Sequence, residues 1–470
     1  MHNRMTEGSP LKLILMFAMP VLLGNVFQQF YNMADTMMVG RILGGDALAA
    51  MGATASVSGL VLGLNIGLAQ GFAIPIAQYV GAGDMGKVRK AVAGTLMLGV
   101  IFVLGITIAA LMTGIPVLKL LGTPEEIMGM SVEYIFIIYG GLIITMMYNM
   151  AASILRSYGD SRTPLYFLIL ASLTNIVLDY VFLKTLRMGV GGAAIATLIS
   201  QALSVVLCVM YIKEKTSFLI PGKEDFCWDR EMLKAQLSLG ISMGLMNSIV
   251  SIGSVILQSA VNKLGSVIIA GHTASRKVIE MFMQPLISIG VTATTYVSQN
   301  LGAGKLERIR KGLHCCTAIS FVWSTFCILI SFWGIDLILA LVVDAKEIQV
   351  IATARQYFKI NVFFFYALSV LFIYRNALQG LGKSQAPIFS SCIEMVVKIL
   401  ATLLLTPALG YLGVYRTDCL DLDGGVSVGG LLPGSPVPSR LSSQKSLNKD
   451  TKKVGINVEI AFFNCAVPKR

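Results

Sequence analysis

Gln78-Tyr-Val-Gly-Ala-Gly-Asp-Met-Gly-Lys-Val-Arg-Lys90 is written a second time as Gln299-Asn-Leu-Gly-Ala-Gly-Lys-Leu-Glu-Arg-Ile-Arg-Lys311. The Gln, the Gly-Ala-Gly and the closing Arg-Lys recur 221 residues further on. Gly159-Asp-Ser-Arg-Thr-Pro164 is echoed by Gly382-Lys-Ser-Gln-Ala-Pro387 at a spacing of 223, and Gly44 by Gly265 at 221. One glycine-rich coincidence is easy to find; two at nearly one spacing mark a duplicated unit of about 220 residues.

Between these loops the chain is apolar. Of 470 residues 55% are hydrophobic and 13% charged, and the mean hydropathy is +0.75, more apolar surface than a soluble chain of this length hides. Stretches without Asp, Glu, Lys or Arg, such as Ala47 to Gly83, Ala91 to Leu118, Met188 to Ile212 and Ala235 to Asn262, are long enough to cross a bilayer core of about 30 Å. With weaker stretches at Thr163 to Leu183, Leu264 to Glu280, Lys359 to Gln379 and Ala386 to Leu412, the reading gives eleven or twelve spans. Six fit between equivalent loops, so both copies enter the membrane from the same side. The expected fold is an all-α polytopic membrane protein, two six-helix bundles from a parallel internal repeat.

The net charge of +12 does not point to nucleic acid. The basic residues are spread over short loops, and a cytoplasmic N-terminus puts most of them on one side: Lys87, Arg89, Lys90, Arg156, Arg162, Lys213, Lys305, Arg308, Arg310, Lys311, Arg375 and Lys383. The first apolar stretch runs past Pro20 without a small-residue cleavage site and reads as a first span, not a signal peptide. Eight cysteines and three histidines show no metal-ligand spacing. The Gly-Ala-Gly loops lack the Gly-Lys-Ser/Thr ending of a phosphate loop. No enzyme, cofactor or metal is expected.

A carboxylate inside a bilayer costs a few kcal/mol or more, which singles out Asp35 near the end of the first span and Asp179 in the fifth. Such a group takes up a proton or holds a cation. Asn175 is one helical turn before Asp179 and shares its face. The alternative is that Asp35 marks a helix end beside Arg41 and Asp179 pairs with Lys184 near the surface. Ala55, Gly59, Gly63, Gly67 and Gly71 form a small-residue stripe suited to close helix packing. At the repeat spacing it becomes Arg276, Glu280, Gln284, Ser288 and Thr292. Arg276 and Glu280 either neutralise each other at i, i+4 or, with Gln284, face a substrate cavity. Glu394 and Lys398 are expected to pair in the same i, i+4 way. Pro20 is the candidate hinge in the first span, and 24 methionines suit an adaptable lining.

Met19-Pro20, Met33-Ala-Asp-Thr36 followed by Val39-Gly40, the Gly-Ala-Gly loop, and Gly159-Asp-Ser-Arg-Thr-Pro164 ahead of Asn175-Ile-Val-Leu-Asp179 resemble multidrug and toxic compound extrusion (MATE) transporters. The resemblance covers about Met5 to Leu412. It implies a V-shaped pair of six-helix lobes around a central cavity, exporting organic cations and drugs in exchange for protons or sodium ions. In the DinF-like branch an aspartate of helix 1, an asparagine and an aspartate of helix 5 and a threonine of helix 6 form the cation-responsive site; Asp35, Asn175, Asp179 and Thr197 match them. The NorM-like branch has an essential carboxylate in helix 7, and Ala235 to Asn262 contains none.

The expected division is an N-terminal lobe over 1–213, a cytoplasmic linker over 214–234 and a C-terminal lobe over 235–413 with five recognisable helices. The apolar pattern stops after Gly413, so the twelfth helix is missing, and 414–470 reads as a disordered or frameshifted tail. The expected partners are small organic cations or drugs and the bilayer of the cell inner membrane, with the chain monomeric. A flippase for lipid-linked oligosaccharide and a non-transporting membrane scaffold are the competing readings.

Overall fold

A computed structural model describes residues 5–262, 264–340, 347–414 and 417. Its helices are α1 (Pro10–Leu43), α2 (Gly45–Ala82), α3 (Met85–Leu120), α4 (Glu125–Gly140), α5 (Leu142–Tyr158), α6 (Arg162–Tyr180), α7 (Gly189–Lys215), α8 (Arg230–Val261), α9 (Ser266–Gly302), α10 (Leu306–Trp333), α11 (Ile335–Ala340), α12 (Ile348–Phe363), α13 (Phe365–Gly380) and α14 (Gln385–Leu409). Among the described residues nine helices are long and apolar enough to cross a membrane, and two bent pairs, α4 with α5 and α12 with α13, bring the spans to eleven. The chain is an all-α multi-pass membrane protein. Of the residues expected to form a tail, 414–470, all but 414 and 417 lie outside the described ones.

The duplication is written into the backbone. The bends of 46° and 53° fall at Gly141 and Phe364, 223 residues apart. The turns between equivalent helices need a left-handed residue at the same places: Gly83 and Gly304 have φ of 76° and 69°, and Gly159 and Gly382 of 107° and 80°. A side chain at these positions is strained, which accounts for the last glycine of each Gly-Ala-Gly. The first glycine has another reason. Gly81 and Gly302 end their helices back to back across the two halves, where a Cβ on Gly81 would overlap the Gln299 carbonyl and one on Gly302 the Gln78 carbonyl.

The two glutamines complete a reciprocal clasp. Gln78 Nε2 donates to Gly380 O at 2.9 Å, and Gln299 Nε2 donates to Ser157 O at 2.8 Å. Ser157 and Gly380 sit at the C-terminal ends of α5 and α13, where helix carbonyls lack an internal partner. The N-terminal segment is tied over the same place: Met5 N donates to Gln299 Oε1, Lys305 Nζ to Thr6 O and Arg308 to Met5 O and Gly8 O. Two of the basic residues read as loop charges therefore hold backbone carbonyls.

From the clasp the halves diverge along α2 and α8. A Cβ on Gly71 would come within 2.5 Å of Gly240, one on Gly67 within 2.5 Å of Met243 O, one on Gly63 within 3.6 Å of Asn247, and one on Gly59 meets nothing within 4 Å. The small-residue stripe is a packing surface whose contact fades with distance from the Gly-Ala-Gly loops, and the two halves form a V closed at that end. The symmetry-related contact of α1 with α9 runs through the polar stripe, where Asn25 Nδ2 donates to Ser288 Oγ at 3.2 Å.

Gly67→Val is expected to destabilise the protein by about 1–3 kcal/mol through overpacking, seen as a lower melting temperature in detergent. Gly59→Val, on the same stripe but at the open end, is expected to leave it nearly unchanged.

Candidate functional site

Asp35 and Asp179 come together. Asp35 lies inside α1, which continues two turns beyond it, and Asp179 ends α6 just before a π turn at Val181–Thr185, a feature that gathers at functional sites. The packing of α1 against α6, with Gly24 3.6 Å from Leu168 at the Cβ position, aims both carboxyls into one space. They face each other closely enough to interact directly. Asp35 is 7% exposed and Asp179 0%, and Asp35 Oδ1 and both Asp179 oxygens meet no hydrogen-bond donor. Asn175, also buried, reaches Thr197 Oγ1 on α7 with its Nδ2 at 3.5 Å, while its own Oδ1 is unpaired. The four expected residues thus form one cluster on three helices.

The alternative placements do not occur. Lys184 stands over the Tyr180 ring, 4.9 Å from its centroid, rather than on Asp179, and among the described residues neither aspartate has an ion pair. Two carboxyls buried this close to each other are costly when both are ionised, because they repel and Asp179 has no donor to replace its water. Their oxygens and the oxygens of Asn175 and Thr197 suit a hard cation. Tyr31 and Tyr134 stand beside the pair, and the sequence reading missed both. Tyr31, one turn before Asp35 on the same face, could have been found from its spacing; Tyr134 belongs to α4 and could not.

The other polar candidates lie in the second half. Arg276 Nη2 and Glu280 Oε1 pair at 3.2 Å within α9, and Gln284 is buried one turn before the Ser288 that α1 contacts. Pro20 is buried within α1, which runs through it unbroken. The expected pairing of Glu394 with Lys398 is corrected. Glu394 pairs across α13 and α14 with Arg375, whose Nε and Nη2 also donate to Ser390 Oγ at 3.1 and 2.9 Å, while the Lys398 stem runs against Gly253 of α8. Arg375 is accordingly not a loop charge: it is 5% exposed inside α13.

At the closed end of the V, next to the clasp, a small cavity of about 40 Å³ opens between the halves. Its lining includes Gln70, Ser153 and Arg156 from the first half and Thr294, Ser298 and Asn376 from the second.

The family model described as MatE matches residues 20–181 and 243–404, two stretches 223 residues apart that coincide with the repeat. The chain belongs to the MatE family. Members of this family are transporters, so the protein is one and not an enzyme. It is 28% identical over 417 residues to the probable multidrug resistance protein YpnP of Bacillus subtilis (strain 168), with 87% of this chain and 91% of that protein covered. It is 23% identical over 439 residues to a protein named FAD transporter from Shewanella oneidensis, with 92% of each covered. The fold matches a structure described as the outward-facing conformation of a multidrug resistance MATE family transporter, at a TM-score of 0.83 and 23% identity, covering 90% of this chain and 95% of the other.

For this MatE protein two measurements check the electrostatic account. Saturating the Asp35 cluster with its cation, at about 100 times the dissociation constant, is expected to stabilise the folded state by about 2.7 kcal/mol; a melting temperature that responds to Na⁺ or acid in the parent and not in Asp35→Asn/Asp179→Asn is the expected result. Arg375→Ala, which strands Glu394, is expected to cost about 3–5 kcal/mol, and Arg375→Met/Glu394→Leu much less, read by thermal unfolding in detergent.

Proposed function

We propose that this MatE protein is a secondary active exporter of small organic cations and drugs, driven by the inward movement of H⁺ or Na⁺ through the Asp35, Asn175, Asp179 and Thr197 cluster. The observation that carries this reading is the pair of facing, buried, donorless carboxyls. A site where two ionised carboxyls are costly changes its electrostatic balance whenever a cation arrives or leaves, and that change can bias two packings of the lobes. The name of the Bacillus relative supports drugs as the cargo.

In this reading the lobes are residues 1–213 and 235–413, joined by the linker 214–234. They alternate access about the seam of α2 with α8 and α1 with α9. The N-terminus is cytoplasmic in the cell inner membrane, so the clasp is the inner gate and the V opens outward, and the protein works as a monomer. Pro20 leaves a carbonyl of α1 without its helical donor ~22 Å along the helix from Asp35, and it is the position where α1 bends as the cluster changes its charge. No cofactor is required beyond the coupling ion.

The test is efflux of rhodamine 6G from proteoliposomes with proton and sodium gradients imposed separately. One gradient is expected to drive transport, and Asp35→Asn and Asp179→Asn are each expected to lower it by about tenfold or more while insertion and melting temperature persist. Unchanged gradient-driven transport in both variants would overturn the coupling role of the cluster.

A further inference from the structure

Arg156 is the feature of the inter-lobe cavity that export of cations does not explain. It lies in the last turn of α5, half-buried, with its guanidinium lining the cavity at the level of the clasp. A guanidinium carries five N–H donors in a planar fork. One is met by Ser153 Oγ, 3.1 Å from Nη2. Among the described residues no carboxylate lies within ion-pair distance of it. The nearest acidic residue in sequence, Asp160, is committed elsewhere: it accepts from the backbone N–H groups of Arg162 and Thr163 and from the hydroxyls of Thr163 and Tyr211.

The surroundings extend the same chemistry. Gln70, on the same cavity's wall from α2, has no hydrogen-bond partner among the described residues, so its amide N–H₂ is available to the cavity. Ser157 Oγ donates to Ala73 O, Ser298 Oγ to Gly380 O and Thr294 Oγ1 to Asn376, so the hydroxyls of the wall are largely occupied by the protein. Arg156, Gln70 and the Thr295 hydroxyl remain as donors, and among the described residues no acidic one lines the cavity. A half-buried arginine fork without a counter-charge is matched by a planar, bidentate oxyanion.

We propose that the floor of the inter-lobe cavity is an anion subsite, in which Arg156 with Gln70 holds a carboxylate, sulfonate or phosphate group of the transported molecule. The inference rests on the export reading only in placing the substrate between the lobes. It widens the cargo from organic cations to zwitterions and organic anions, and it makes Arg156 a specificity-determining residue. Because Gln299 bonds to Ser157 O, the residue next to Arg156, an anion seated there touches the clasp itself.

Two xanthene dyes of nearly one shape and opposite charge, fluorescein and rhodamine 6G, test it by fluorescence polarisation on the full chain in phosphatidylcholine nanodiscs. The parent is expected to bind fluorescein, Arg156→Gln to bind it at least about tenfold more weakly, and Arg156→Lys to fall between, with rhodamine 6G affinity changed by less than about twofold. Thr295→Glu, which places a carboxylate in the same cavity, is expected to abolish fluorescein binding and serves if Arg156→Gln does not fold. Nanodiscs containing phosphatidylglycerol separate the two sources of anion: weaker fluorescein binding there, with the Arg156 dependence kept, identifies a lipid headgroup as a competing occupant of the same subsite. No fluorescein binding by the parent, or equal binding by Arg156→Gln, would overturn the subsite even if rhodamine 6G is exported. Arg156-dependent fluorescein binding without transport of either dye would leave the subsite standing and count against the export reading instead.

Discussion

The structure depends on two helix ends that each take a donor from the opposite lobe. The last carbonyls of α5 and α13 have no donor within their own helices, and in a chain surrounded by lipid there is little water to supply one. Gln78 and Gln299 supply it, each from the other half of the molecule. Their reach requires the ends of α2 and α9 to approach at backbone contact, which the glycines at positions 81 and 302 permit and no other residue would. Each such bond is worth only about 1 kcal/mol net, so the clasp orders the lobes without locking them.

Everything farther from the clasp follows from how the halves separate. The glycine stripe of α2 keeps α8 close for several turns and then lets it go, whereas the polar stripe at the same repeat positions of α9 meets α1 through side chains. The cavity at the closed end and the V above it result from that graded contact. The Arg308 and Lys305 bonds to residues 5–8 add a second tie at the same level.

The lobes share a fold and differ in how they treat buried charge. In the second half the one acidic residue of α14, Glu394, is neutralised by Arg375, which also donates to Ser390 Oγ, a finished structural interaction. In the first half Asp35 and Asp179 are left facing each other without donors. Ile256 and Thr402 stand at their repeat positions, so the duplication kept the helices and gave the acidic pair to one lobe alone. Buried charge without compensation is costly wherever it occurs, which is why an intramembrane carboxyl pair stands out as a functional candidate.

The sequence alone determined the class of fold, the duplication and the places of the tight turns, and it singled out Asp35, Asn175 and Asp179, whereas Thr197 came only through the resemblance to MATE transporters. These are legible because their causes are local or nearly so: bilayer thickness sets span length, a left-handed turn needs glycine, and a carboxyl in an apolar run is conspicuous by itself. Only the tertiary structure decided that Glu394 meets Arg375 and not Lys398, that Tyr134 stands beside Asp35, that Gly81 and Gly302 touch across the lobes, and that Arg156 lines a cavity. An i, i+4 pattern sees the neighbours on one helix. Which side chains meet between helices depends on the rotation and crossing of each pair, and those are fixed by the packing of the whole bundle.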